Sequence, residues 1–202
     1  MKTIQELFSE INTHLLEDEK PSLYLNEISK TALFKEYPFN MLNKLKKTEQ
    51  SPKHHPEGNV WNHTMLVVDE AAKVKSKSHD QRIFMWSALL HDIGKPDTTM
   101  LRKGRITSYD HDKLGAELAE RFLSELIDDA AFIQKVSALV RWHMQILFVV
   151  NNLPFADISG MKKSIDINEV ALFGFCDRMG RTNSEREKEE ENIKKFIEKC
   201  KL

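Results

Sequence analysis

The 202 residues carry 30 Lys+Arg against 31 Asp+Glu, a formal net charge of -1, with 41% hydrophobic and 30% charged residues. That balance belongs to an ordinary globular chain with a sizeable core, and it excludes a strong overall field toward nucleic acid or an anionic membrane, leaving only local patches. No apolar run nears the roughly 20 residues that span a bilayer. The start, Met1-Lys2-Thr3-Ile4-Gln5-Glu6, lacks the apolar region of a secretion signal, and Cys176 and Cys200 are too few for a disulfide framework. A reducing, cytoplasmic compartment is expected.

Gly (7) and Pro (6) are scarce, and apolar residues recur mostly at three and four, which predicts an all-α fold. Ile4, Leu7, Phe8, Ile11 and Leu15 mark a first amphipathic helix ending before Pro21. Leu23 to Phe34 predicts a second, capped by Ser22 and broken by Pro38, and Asn40 to Lys47 a short third. Glu49 to Asn59 is a loop, because Pro52, Pro56 and Gly58 forbid a helix there. It holds His54 and His55; adjacent loop histidines rarely ligate together, and His55 is expected to support a ligand or face a substrate.

A helix from Val60 to about Lys75 puts His63, Leu66, Val67, Glu70, Ala71 and Val74 on one side, so His63 points to the core. The next, Asp80 to Ile93, delivers His91-Asp92 at the end of the apolar run Ile83–Leu90, where Gly94 and Pro96 stop it. Ser87 and Ala88 are small enough to let another helix close on that spot. An ionised Asp buried without a partner costs several kcal/mol. A divalent cation removes that cost and uses the histidine too. Lys95, just beyond, can reach a phosphate or leaving oxygen.

Thr98 to Tyr109 breaks the helical period and predicts a short β-hairpin over about 99–108, turning at Lys103-Gly104 and projecting Lys103 and Arg105. A helix with Leu114, Leu118, Phe122 and Leu126 follows, His111 at its N-terminal edge and Asp110 or Asp112 available as cap. Asp129 to Met144 carries Val136, Leu139, Val140 and His143 on one stripe, so His143 is inward-facing. Trp142 beside it is a candidate base-stacking surface; Trp61 and Trp86 read as core. Gln145 to Phe155 is apolar, interrupted by Asn151, Asn152 and Pro154. Ile167 to Gly180 is the last core helix, with Val170, Phe173, Gly174 and Asp177 on one face. Arg178 and Arg181 either grip phosphate or pair with the charged terminal helix expected from Asn183 to Leu202.

Six inward or site-edge groups therefore converge: His63, His91, Asp92, His111, His143 and Asp177. Such an imidazole and carboxylate set suits Mn, Fe, Ni, Co or Zn better than an all-oxygen Mg site. The order His63, His91-Asp92, Asp177 resembles the H…HD…D pattern of the HD-domain metal-dependent phosphohydrolases, and His111 and His143 are similar to the members that hold two metals. The strings His55-Pro56-Glu57-Gly58-Asn59-Val60-Trp61-Asn62-His63-Thr64, His91-Asp92-Ile93-Gly94-Lys95-Pro96, Arg141-Trp142-His143 and Asp177-Arg178-Met179-Gly180-Arg181 resemble the HD domain attached to bacterial CCA-adding tRNA nucleotidyltransferases. The resemblance covers about Pro52 to Arg181 and no nucleotidyltransferase part, so nucleotide addition is not implied. Dinucleoside polyphosphate hydrolases of the HD group share the ligands only.

The resemblance implies an HD-domain helical bundle forming a single domain: 1–50 an N-terminal helical extension, 52–181 the HD core, 183–202 a C-terminal helix. It implies one or two divalent ions (Mn, Fe, Ni, Co, Zn or Mg), one held by His63, His91, Asp92 and Asp177, with Asp92 bridging to a second at His111 and His143. Two such cations activate a water for in-line attack on phosphorus. Asp92 and Lys95 are the expected catalytic residues; Lys95, Arg178, Arg181, His55 and Trp142 are expected to meet the substrate. That substrate is a nucleotide, a phosphorylated small molecule or an RNA end, as a 2′,3′-cyclic phosphate, 2′-phosphate or phosphomonoester. Two other classes fit the same residues: a nucleotide-binding or signalling module without turnover, and a di-iron, oxygen-dependent enzyme.

Overall fold

In the computed structural model, which describes residues 2–201, the middle of the molecule is α5 (Gln81–Leu90), buried at every position from Ile83 onward. Asp80 caps it, accepting from the backbone N–H groups of Arg82 and Ile83. A helix this apolar is stable only inside a ring of others. That ring is α1 (Ile4–Glu17), α4 (Val60–Val74), α8 (Ala130–Trp142) and α11 (Ile167–Met179). Phe8 of α1 stacks on Trp86 of α5, ring centroids 4.6 Å apart. Asn12 Oδ1 accepts from both Arg82 and Trp86 at 3.0 Å. Outside the ring, α7 (His111–Ser124) lies along α8, and α12 (Arg186–Lys201) covers α11 and α9 (Gln145–Val150). One continuous core runs from Leu7 to Cys200, so the terminal helices are walls of the same body. Among the described residues no helix is long and apolar enough to cross a membrane.

The expected hairpin is there, and among the described residues it is the only sheet: β1 (Thr99–Arg102) pairs antiparallel with β2 (Arg105–Ser108), from Thr99↔Ser108 to Arg102↔Arg105. Lys103 (φ 49°) and Gly104 (φ 73°) are both left-handed, as the tight two-residue turn demands.

Several boundaries differ from expectation. The second helix, α2, is Pro21–Ile28 and does not reach Phe34. The hydroxyls of Ser29 and Thr31 donate to the carbonyls of Asn26 and Ile28 at 2.8 and 2.7 Å, and Lys46 Nζ takes the Ser29 carbonyl at 3.0 Å. These bonds offer the backbone an alternative to helix. Lys20, not Ser22, is the cap residue of α2, and Ser22 gives its N–H and hydroxyl to Asp69 of α4. A 3₁₀ turn, Leu33–Lys35, stands at the end of the range expected for the second helix, and the expected third is the single turn α3 (Asn40–Asn43) continued by a 3₁₀ turn, Lys44–Lys47. The helix α5 ends at Leu90, and after a turn the one-turn α6 (Lys95–Thr98) leads into β1. An unforeseen α10 (Ile158–Ser164) is capped by Asp157, and α12 begins at Arg186, not Asn183. On α4, Leu66 faces outward and Val68 is buried in its place.

Candidate metal centre

Five segments meet at one buried point. Asn59 caps α4, its Oδ1 accepting from the Asn62 N–H at 2.9 Å, which fixes the first turn and turns His63 inward. The α5 helix ends on His91, with Asp92 next in the turn. The return of the hairpin starts α7 at His111, α8 finishes at His143, and the last turn of α11 presents Asp177. All six side chains foreseen as ligands are buried.

Three of the rings are oriented alike. Nδ1 of His91 donates to the Ala88 carbonyl (2.9 Å), Nδ1 of His111 to that of Ser108 (2.6 Å), and Nδ1 of His143 to that of Val140 (2.6 Å). Each Nδ1 proton is held by backbone, so each Nε2 faces the centre, the atom a metal would take. His111 Nε2 and His143 Nε2 stand only 3.2 Å apart. Two lone pairs at that distance repel unless a cation lies between them.

Asp92 stands among the rings with one oxygen toward each side. Its Oδ2 is 3.2 Å from His91 Nε2 and 3.9 Å from His63 Nε2; its Oδ1 is 3.5 Å from His111 Nε2 and 4.0 Å from His143 Nε2. His63 Nε2 also bonds Asp177 Oδ1 at 3.0 Å. Two ligand groups result, His63–His91–Asp92 and Asp92–His111–His143, and they share Asp92.

The residues fit divalent metal. Buried His91 Nε2 and Asp92 Oδ2 have no hydrogen-bond partner. Lys95 Nζ lies 2.7 Å from that Oδ2, a charge contact poorly directed for a hydrogen bond. Burial alone would raise the Asp92 carboxyl, but the His91 imidazole and the Lys95 ammonium more than reverse this and hold it well below the usual range. Asp177 follows the same logic: burial raises it, while the bond from His63 and the charge of Arg181 hold it ionised. Burial pushes His111 down to about 4 and lowers His143 as well, so both are neutral near pH 7.

Glu57 belongs to the centre and was not anticipated. It comes from the Pro- and Gly-bearing loop, where no periodicity announces an inward residue; its spacing from His55 was the available signal. Its side chain is 1% exposed, with Oε1 2.8 Å from His55 Nδ1 and 3.0 Å from His63 Nδ1, the latter off-line for a hydrogen bond. Burial would raise Glu57, and the two imidazoles bring it below the usual range instead. Burial in turn pushes His55 down to about 4. A carboxylate behind a ligating ring fixes its orientation and basicity. Glu57→Ala is therefore expected to weaken metal binding roughly 10–100-fold, measured by competition with a chromophoric chelator; unchanged affinity would sink that role.

Lys95 is buried, its Nζ bound by Gln50 Oε1 at 2.7 Å, a second partner the loop concealed. Arg181 Nη2 is 3.9 Å from Asp177 Oδ2. Two other residues are engaged elsewhere. Arg178 pairs with Glu189 of α12 at 3.0 Å, the second of its two expected fates. Trp142 is buried, its indole N–H donating to Ser164 Oγ at 3.1 Å, so it packs rather than offers a stacking face. Neither foreseen cap serves α7: Asp110 sits at the cap with left-handed backbone and no side-chain bond to the helix's first N–H groups, and Asp112 pairs with Arg141.

Residues 60–149 match the family model described as HD domain. The multifunctional CCA protein of Halorhodospira halophila is 34% identical over 95 residues, 47% of this chain and 21% of that protein. The A-adding tRNA nucleotidyltransferase of Deinococcus radiodurans is 39% identical over 64 residues, 31% of this chain and 15% of that protein. The multifunctional CCA protein of Methylococcus capsulatus is 25% identical over 132 residues, 63% of this chain and 28% of that protein. The chain thus spans between 15% and 28% of the length of these relatives.

Proposed function

We propose, from the match of residues 60–149 to the HD domain model, that the chain is a metal-dependent phosphohydrolase acting on nucleotides or nucleotide ends. The observation that carries this is Asp92, one buried carboxylate common to two groups of metal-ligating atoms. His63, His91, Asp92 and Asp177 would hold one divalent ion and Asp92, His111 and His143 a second, and such ions would supply a water of lowered pKa and neutralise phosphoryl charge.

The chain's own groups complete the chemistry. Lys95, aimed by Gln50, sets an ammonium at the edge of the centre, where a phosphate oxygen needs one. Arg181 brings a guanidinium to the Asp177 side. His55, half-buried with Nδ1 on Glu57, lines the approach over His63, ring centroids 4.8 Å apart. Attack by a side chain has no support: burial pushes the Cys176 thiol far above its usual range, and Ser87 gives its hydroxyl to the Ile83 carbonyl. By name, one relative is an A-adding tRNA nucleotidyltransferase and another a multifunctional CCA protein, which favours a 2′,3′-cyclic phosphate, 2′-phosphate or phosphomonoester on a nucleotide or RNA end. Residues 52–181 are the HD core in this reading, with the terminal helices as extensions of it, and the two buried free thiols suit a reducing cytoplasm.

The test is product formation by chromatography over nucleoside 2′-, 3′-, 5′- and 2′,3′-cyclic phosphates and dinucleoside polyphosphates. Mn, Ni, Co or Mg is supplied in turn, with Asp92→Ala as control. Turnover that vanishes in the variant supports the reading. Silence from folded, metal-loaded protein rejects it in favour of a binding module, or of oxygen chemistry if dioxygen is consumed.

A further inference from the structure

The hairpin is the most exposed part of the chain next to the centre, and its two faces differ. Residues paired across the strands share a face. Thr99 and Ser108, joined by their hydroxyls at 2.7 Å, and the Leu101–Ile106 pair make one face. The pairs Met100–Thr107 and Arg102–Arg105 make the other. On that second face Arg102 is held flat: Nη1 donates to Thr107 Oγ1 at 2.9 Å, Nη2 reaches Met100 Sδ at 3.2 Å, and the guanidinium lies over the Tyr109 ring at 4.8 Å. Tyr109 is 61% exposed and Met100 55%. Lys103 stands at the turn between the two arginines.

Residues 99–109 hold Arg102, Lys103 and Arg105 and no acidic residue, in a chain whose formal net charge is -1. Among the described residues none of the three pairs with a carboxylate, while the acids flanking the hairpin are matched, Asp97 by Lys44 and Asp110 by Lys113. The hairpin is also tied to the centre, since the Ser108 carbonyl at the end of β2 is the one that holds His111 Nδ1.

We propose that this face of the hairpin, Arg102, Arg105 and Tyr109 with Lys103 at its tip, is the track for a single-stranded RNA whose 3′ end enters the metal centre. This deepens the phosphohydrolase reading and rests on it for the direction of the strand. Cations with an aromatic platform are the means by which proteins hold single strands, phosphates on the charges and a base on the ring. The 2′,3′-cyclic phosphate expected as substrate requires a ribose 2′-hydroxyl, which selects RNA.

The test is fluorescence anisotropy of the full chain with a 5′-labelled, 12-nucleotide single-stranded RNA ending in a 3′-hydroxyl, across salt concentrations. Arg102→Ala/Arg105→Ala is expected to raise Kd about tenfold or more and to reduce the salt slope by roughly 0.7 per lost phosphate contact. Tyr109→Ala is expected to raise Kd about fivefold or more. Thermal melts, and any mononucleotide turnover found, should stay at the wild-type level, because none of these side chains touches the centre. Because binding is read without turnover, a silent substrate panel with RNA binding lost in the variants would fault the enzyme reading and leave the track standing. Wild-type protein that does not bind at low salt, or variants with the wild-type Kd and slope, would overturn the track. So would self-association abolished by the same substitutions, which would assign the face to a second copy of this chain.

Discussion

Asp92→Asn is expected to empty the centre of both ions at once and to cut turnover by about 10³-fold or more. The reason is the placement of the two carboxylate oxygens. Oδ2 faces His91 and His63, Oδ1 faces His111 and His143, so an amide weakens both ligand groups together and withdraws the charge that makes them anionic. His143→Ala should behave differently. It removes one ligand from the Asp92–His111–His143 group and none from the other, so the ion beside His63 and His91 is retained. Metal analysis of dialysed protein separates the cases: none in Asp92→Asn, half the wild-type content in His143→Ala. Asparagine keeps the shape, and Lys95 keeps Gln50, so the apoprotein should melt near the wild-type apoprotein. An Asp92→Asn variant that holds as much metal as wild type would remove the basis for a shared ligand.

What was legible in the sequence follows from where each residue sits. His63 lies on an amphipathic helix and His143 at the end of another, where a polar residue in an apolar stripe stands out against the 3.6 period, and Asp177 shares a face with Val170, Phe173 and Gly174. His91 and Asp92 close an apolar run, and the left-handed pair Lys103-Gly104 declared the hairpin. Glu57 and Gln50 lie in an irregular loop, and a loop residue is turned inward by tertiary contacts that leave no period behind. Local rules also misled. The apolar spacing of Leu23 to Phe34 fits a helix, but Ser29 and Thr31 bonded back to the backbone and Lys46, distant in sequence, took the freed carbonyl. Trp142 beside a ligand looked like a stacking surface, and only the unforeseen α10 shows why it is covered: Ser164 takes its indole N–H. Arg178 and Arg181, three residues apart, parted because Glu189 of α12 reached the first.

Gly94→Ala is expected to be the most damaging single methyl added near the centre. The backbone there is not left-handed, so conformational strain is not the cause; space is. A Cβ at Gly94 would lie 2.3 Å from the His111 carbonyl oxygen, 2.7 Å from Gly115 N and 3.0 Å from Gly115 Cα. All three are backbone atoms of the first turns of α7, so no side chain can swing aside, and α7 must move as a body away from the His91–Gly94 turn. That movement carries His111 away from Asp92 and from His143. Overpacking of this kind costs about 1–3 kcal/mol, or a fall in Tm of roughly 2–12 °C for a chain this size. The functional signature is more specific: the ion shared by Asp92, His111 and His143 should be lost while the one at His63 and His91 stays, as in His143→Ala. Gly115→Ala is the comparison. Its nearest contact is the Val140 Cγ1 methyl at 3.3 Å, a side-chain atom with some freedom to yield, so both Tm and metal content should fall less. Calorimetry and metal analysis of the two variants decide the matter. If Gly94→Ala matches wild type in both, then α7 is not held against the HD turn closely enough for this glycine to set the position of His111.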